Sequence, residues 1–448
     1  MPSFRDRLKT FLRGPDLEGE ARRTYRFHLA YAVLDATAGG LLLNMPQLAL
    51  RMMGAPNWHL PLRDLYSGLG MLATLYLGSW MAPRHKMPFV FLPGMFSGIT
   101  LAGMTLAMGD PFWFLTFLSI SGMFEVTTRP AIAAIVRLNY PVEHRGEAAG
   151  TVREWSSLAF LASSLSSAYL LQHAGDDALA AALGQIICAA LLSLSSFVCF
   201  RQIRVQEDLN NHRRDLKPEV LRNLRDALAV VVRDGRYRRY LAGCLLDGFC
   251  AWLYFPLIWT LLSKELGFDF LAATVFMHSL PALVAFASTG LLGHWFDRTN
   301  PWIAWAGIRF AWGIDALLLA ATPFVASQIS PAVWILPVLG RLLRGSVQGG
   351  QWVMWWQIGV THFAPPGEHT SRYTGMMVFV NGATKLAGSA TAIALTARGI
   401  PATTLLAVGG TGVILAGLYS LWQAGCDRKE HRPATIAEFE AQFGVNDP

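Results

Sequence analysis

The sequence predicts an all-α membrane protein of twelve transmembrane helices, arranged as two six-helix halves. Three observations lead there. Of its 448 residues, 53% are hydrophobic and only 15% charged, whereas a soluble chain carries nearer a quarter charged residues. The apolar residues fall in blocks of the roughly 20 residues that one helix needs to cross a bilayer. One stretch also occurs twice. Tyr25 to Asp35 reads YRFHLAYAVLD and Tyr237 to Asp247 reads YRRYLAGCLLD, so that Tyr25/Tyr237, Arg26/Arg238, Leu29/Leu241, Ala30/Ala242, Leu34/Leu246 and Asp35/Asp247 coincide at an offset of 212.

In chain order, residues 1–26 predict a cytoplasmic amphipathic segment. Phe4, Leu8, Phe11 and Leu12 recur at helical spacing among Arg5, Arg7, Lys9 and Arg13, the pattern of a helix lying on an anionic leaflet. The opening residues predict no removable signal peptide. Residues 27–200 form the N-terminal bundle, with spans near 27–50, 60–81, 88–108, 112–138, 148–171 and 178–200. Residues 201–239 are a polar cytoplasmic linker. Its stripe of Val220, Leu221, Leu224, Leu228, Val231 and Val232 predicts a second surface helix. Residues 240–424 form the C-terminal bundle, with spans near 240–262, 270–293, 302–322, 332–358, 374–396 and 402–424, and 425–448 is a cytoplasmic tail.

Orientation follows from the basic residues. Of the 37 Lys and Arg, 28 fall in the segments on the side of the termini and only Arg51, Arg63, Lys264 and Arg398 on the other. Both termini are therefore expected in the cytoplasm, the inner side of a plasma (bacterial inner) membrane. This distribution also accounts for the net charge of +7, so no nucleic-acid partner is expected. The five cysteines form no CxxC pair, which predicts neither a disulfide framework nor a zinc knuckle.

Two further repeats support a duplication. Gly78-Ser-Trp80 matches Gly293-His-Trp295 at an offset of 215; Pro141, Glu143, His144 and Gly150 match Pro366, Glu368, His369 and Gly375 at 225. Parallel six-helix halves are a known transporter plan, with the solute held between them near the midplane. The run Gly293-His-Trp-Phe-Asp297-Arg298 after the eighth span resembles the signature loop of the major facilitator superfamily, and so does Pro141, Arg145, Gly146 between the fourth and fifth. The first copy of the loop, Gly78 to Lys86, has Ala82 where that family carries Asp. The resemblance implies the superfamily's fold and alternating access. Asp297, Arg298 and Arg145, with Arg153 and Glu154 near the end of the fifth span, are the expected gating charges.

The remaining chemistry is charge inside spans, which is costly in lipid and marks function by default. Glu125 and Arg129 lie four apart on one helical face. Arg341, Arg344, Gln348 and Gln351 step along the tenth span with Trp352 and Trp355 beside them, and Asn381 and Lys385 share a face of the eleventh. Spans four, ten and eleven line the cavity in the resembled family. Glu125, Arg129, Arg344, Gln348, Gln351, Trp352, Trp355, Asn381 and Lys385 are therefore the expected substrate-binding set, cations suiting a carboxylate or phosphate. Arg309 and Asp315 are expected to pair across helices and fix the packing. Asp35 and Asp247 have no basic neighbour within their own helices, which makes them the expected proton carriers.

The function expected is a secondary active transporter, symporter or antiporter, moving a small polar or anionic organic solute with protons. It would be a monomer that needs no cofactor. Three alternatives stay open: a divalent-metal exporter using Asp35, Cys244, Asp247, Cys250 and His278, a polyspecific drug/proton antiporter, and a transport-inactive sensor of the same fold. No catalytic order of Ser, His and Asp, metal-binding helix or phosphate loop appears, so an enzyme is not expected.

Overall fold

The computed structural model describes residues 16–81, 84–205, 225, 228–229, 231–353 and 370–430. Among the described residues there are twelve long helices. They are α1 Gly19–Leu42, α2 Leu62–Met81, α3 Pro88–Met104, α4 Pro111–Asn139, α5 Val142–His173 and α6 Ala178–Arg201, then α7 Gly235–Tyr254, α8 Leu280–Arg298, α9 Pro301–Ala326, α10 Ala332–Val353, α11 Thr370–Ala397 and α12 Ala402–Glu430. Among the described residues seven spans are apolar enough by hydropathy alone to cross a membrane. The helices outside that set include α1, α4, α5 and α10, whose interiors carry the charges singled out above.

Local chemistry sets the helix starts. Asp110 caps α4 by accepting from the Phe112 and Trp113 amides at 2.9 and 3.3 Å, ahead of Pro111. Asp234 caps α7 through the Tyr237 amide at 2.9 Å, and Asn300 caps α9 through the Trp302 amide at 2.9 Å, ahead of Pro301. An acceptor at the cap pairs an amide that the helix leaves free, and a proline in the first turn lacks only an N–H that would have no helical partner. Helix α1 begins at Gly19, so Gly19–Arg26 belongs to the first helix and not to a separate surface segment. The rest of the expected N-terminal helix, and most of the expected linker helix, lie outside the described residues.

Within the first half α1 packs on α5 and α6, and α4 on α2 and α3; within the second, α9 packs on α10 and α12, and α7 on α11 and α12. The halves meet along α2 against α11, and along α5 against the segment Phe270–Ser279 that leads into α8. The α2–α11 crossing is close enough to need glycine on both sides. A Cβ on Gly68 would lie 2.9 Å from the Leu386 amide nitrogen, and one on Gly382 would lie 3.2 Å from the Gly68 carbonyl oxygen. Small residues of this kind let membrane helices touch through their backbones.

The repeat-related helices α1 and α7 both break toward the end remote from the linker. The first continues after Asn44 as a short helix, Met45–Met52, with Pro46 in its first turn; the second continues through Phe255–Leu257 around Pro256 into a π-helical turn, Leu261–Glu265. A second π-helical turn, Val275–Ser279, precedes α8. Such breaks expose carbonyl groups that a continuous helix would use internally.

Candidate functional site

Side chains and carbonyls of the segments beyond the breaks in α1 and α7 build a polar seal between the halves at the end remote from the linker. Gln47 donates to the carbonyls of Phe268 and Asp269 at 3.3 and 3.1 Å, and Arg51 to that of Phe268 at 3.2 Å. Lys264 reaches back to the Ala55 carbonyl at 2.8 Å and Asn57 at 3.1 Å. Gln172 donates to Asp269 at 3.0 Å and accepts from the Leu271 amide at 3.1 Å, while Thr274 donates to Asn44. This seal was missed in the sequence, because side chain to carbonyl bonds between distant segments leave no spacing signal.

Among the described residues, four charge clusters lie within the spans. In the second half Arg309 donates to Asp247 at 2.6 Å and to Ser420, and its guanidinium lies 3.8 Å from the Cys244 sulfur and over the Trp305 ring. Both partners are deeply buried, with side chains 2% and 6% exposed. Asp315, fully buried, takes a two-pronged contact from Arg341 and lies 3.7 Å from Arg344, whose guanidinium also stacks over Trp312 and Phe255. These clusters join α7, α9, α10 and α12 into one body. Arg309 and Asp315 do pair across helices, though with Asp247 and Arg341 and not with each other.

The other two clusters face the space between the halves. Arg129 donates to Glu125 at 3.0 Å, and the pair is open, with side chains 53% and 40% exposed. Their charges act on Asp35 of α1, which is half-buried and has no ion-pair partner among the described residues. Lys385 of α11 lies 3.0 Å from Asp64 of α2 and 3.9 Å above the Trp252 ring of α7, so this pair bridges the halves. Arg129 is near enough to act on Lys385 electrostatically, so the charges of α4 and α11 lie in the same part of the molecule. Asn381 sits one turn from Lys385 and is buried; Gln348 follows Arg344 by one turn and is half-buried.

The structure corrects several sequence expectations. Arg341 and Arg344 are not free cations for a ligand, since Asp315 engages both. Asp247 does have a cationic partner, supplied by α9. The proposed metal set is dispersed: Cys244 lies at Arg309, Cys250 packs on Gly412 and His278 stands between the Phe160 and Trp259 rings. Among the described residues no three metal-ligating side chains converge. Arg145 donates to the carbonyls of Arg137 and Tyr140 at 2.7 and 3.2 Å, tying off α4 within its own half. Arg153 and Glu154 are exposed on α5, and Arg153 senses Arg129. The side chains of Asp297, Arg298, Gln351 and Trp352 lie outside the described set, as does Trp355 altogether. Asp64 was missed because its partner, Lys385, lies in the other half and leaves no spacing signal.

Two six-helix bundles that meet along α2 and α11 and at a polar seal have the architecture of a membrane transporter. The family model described as Major Facilitator Superfamily matches residues 62–389, and the chain belongs to that superfamily, whose members are transporters and not enzymes. Over 355 residues it is 25% identical to the Hippocampus abundant transcript-like protein 1 of Mus musculus, a match covering 72% of this chain; the chain spans only 65% of that relative's length. Among solved structures it superposes on the POT family transporter PepTSo with a TM-score of 0.66 at 11% identity, covering 91% of this chain and 99% of that one. A point mutant of the nucleoside transporter NupG superposes with 0.65 at 14% identity, covering 89% and 99%. The xylose transporter XylE from E. coli superposes with 0.59 at 13% identity, covering 90% and 99%. These likenesses establish the fold.

Proposed function

We propose that this protein is a proton-coupled secondary transporter for a small polar or anionic organic solute, working by alternating access as a monomer in the plasma membrane. The excess of Lys and Arg at the linker end supports a cytoplasmic placement of both termini. On that orientation the polar seal lies at the outer face.

One observation carries the coupling assignment: among the described residues Asp35 stands without an ion-pair partner, beside the open Glu125–Arg129 pair. Glu125, Asp64, Asp247 and Asp315 each have a cation within 4 Å. A carboxylate with no cation paired to it is the one whose charge most depends on solvent access and on what enters the cavity. We therefore assign proton carriage to Asp35 and give Asp247 a packing role. Arg129 and Lys385, one on each half, are the cations a solute carboxylate would meet, with Gln348 and Asn381 as polar contacts. The solute would compete with Glu125 and Asp64 for these cations, so its binding can loosen one pair in the cavity and one pair between the halves. The outer seal and the Asp64–Lys385 bridge would part as the cavity opens outward.

The test is transport in proteoliposomes with Asp35→Asn. Uptake driven by a pH gradient should fall to the level of a solute gradient alone, while solute counterflow at fixed pH persists. Undiminished pH-driven accumulation would overturn the assignment.

A further inference from the structure

Helices α1 and α6 also form a cleft on the outer surface of the N-terminal half, at the linker end. It has a volume of about 410 Å³ and is lined by Arg22, Arg23, Arg26, Phe27, Ala30 and Cys199. Its chemistry is divided. The three guanidinium groups sit in the first two turns of α1 as a cationic mouth, with Arg22 and Arg26 exposed and Arg23 half-buried over the Phe27 ring at 5.9 Å. Phe27, Ala30 and Cys199 continue the wall toward the membrane interior. Among the described residues no carboxylate lines the cleft, and none of the three arginines has an ion-pair partner. The nearby acid Glu20 is instead 3.9 Å from Arg204.

The same helices show that this charge is not a by-product of packing. Toward their other end, where α5 joins them, a second depression of about 590 Å³ is lined by Leu41, Leu170, Ala181, Gly184 and other residues without a single Lys or Arg. Three such cations above an apolar wall, at the level where a span leaves the bilayer, match an anionic head above an acyl chain. A soluble anion would use the cations and have no use for the wall.

We propose that this cleft binds the headgroup of an anionic phospholipid of the cytoplasmic leaflet, with the phosphodiester on Arg22, Arg23 and Arg26 and the upper acyl chain along Phe27, Ala30 and Cys199. Because α1 also carries Asp35, a bound lipid would brace the helix on which the cavity acid sits. The site stands whether or not the transport assignment above is correct, since it is read by binding and not by uptake.

Two measurements test it on the full-length protein in detergent. Short-chain phosphatidylglycerol is titrated against thermal unfolding, with the matching phosphatidylcholine, inorganic phosphate and glycerol phosphate as the other arms. Phosphatidylglycerol should raise the unfolding temperature and the other three should not. In Arg22→Gln/Arg26→Gln its apparent affinity should drop roughly 30-fold, at a few-fold for each basic group lost. An equal response to phosphatidylcholine would overturn the proposal, and so would an equal response to free phosphate, which would mark a soluble-anion site. The second measurement leaves the arginines intact. Phosphatidylglycerol should slow maleimide labelling of Cys199, read by peptide mass, and leave Cys426 on α12 unchanged. Equal labelling of Cys199 with and without the lipid would overturn the site even if the double variant fails to fold.

Discussion

Replacing Asp247 by Asn separates a packing charge from a coupling charge. The substitution keeps the size of the side chain and removes its charge, leaving the Arg309 guanidinium only 2% exposed among Ser420, the Ala416 carbonyl and Cys244. Removing one partner of a buried pair costs about 3–5 kcal/mol, chiefly because the remaining charge is stranded. An Asn amide oxygen can still accept from the Arg309 Nε, so the lower end, about 3 kcal/mol, is expected. Thermal unfolding in detergent should show a clear drop for Asp247→Asn, and Asp247→Asn/Arg309→Met should recover most of it by removing the stranded charge. Asp35→Asn, with no ion pair to lose, should unfold within about 1 kcal/mol of the parent protein. The transport assay gives the opposite order: Asp247→Asn molecules that fold should keep their pH-driven uptake. An Asp247→Asn protein that is fully stable yet uncoupled would refute this reasoning and return the titrating role to Asp247.

Two other predictions follow from groups that join segments. Lys385→Met removes the bridge from α11 to Asp64 of α2, a charge-assisted bond worth about 1.5–3 kcal/mol. It should shift the protein toward the outward-open form by roughly ten-fold or more, measured as faster labelling of a cysteine placed at Asn57; Asp64→Asn/Lys385→Met should lie closer to the parent, and unchanged labelling in Lys385→Met would exclude a latch. His59, in the turn ahead of α2, is 5% exposed and held between the Trp58 and Phe112 rings. Burial pushes its imidazole below the ordinary value, against a smaller upward pull from Asp110. The unfolded chain therefore takes up the proton first, and stability falls as pH drops below about 6.5. His59→Gln should flatten the fall in unfolding temperature between about pH 7 and 5, and an unchanged slope would show that His59 does not contribute.

The sequence alone determined the twelve spans, the duplication and the positions of the charges that do not belong in lipid. These properties are local, set by the length of an apolar run, the residues at its ends and the offset between repeats. It also determined one ion pair, Glu125–Arg129, because residues four apart on a helix share a face. Tertiary structure decided the rest. Asp247 and Arg309 are 62 positions apart, and Asp315 could have met any cation on a neighbouring helix. Asp64 and Lys385 lie in different halves and meet only because Gly68 and Gly382 let α2 and α11 cross in contact. The seal at the end remote from the linker depends on the carbonyls of Ala55, Phe268 and Asp269 meeting side chains of the other half. A charge shows in the sequence that it needs a partner, but the partner is chosen by which helix faces pack together. Among the described residues that choice left Asp35 without an ion pair, while its repeat counterpart Asp247 was clamped.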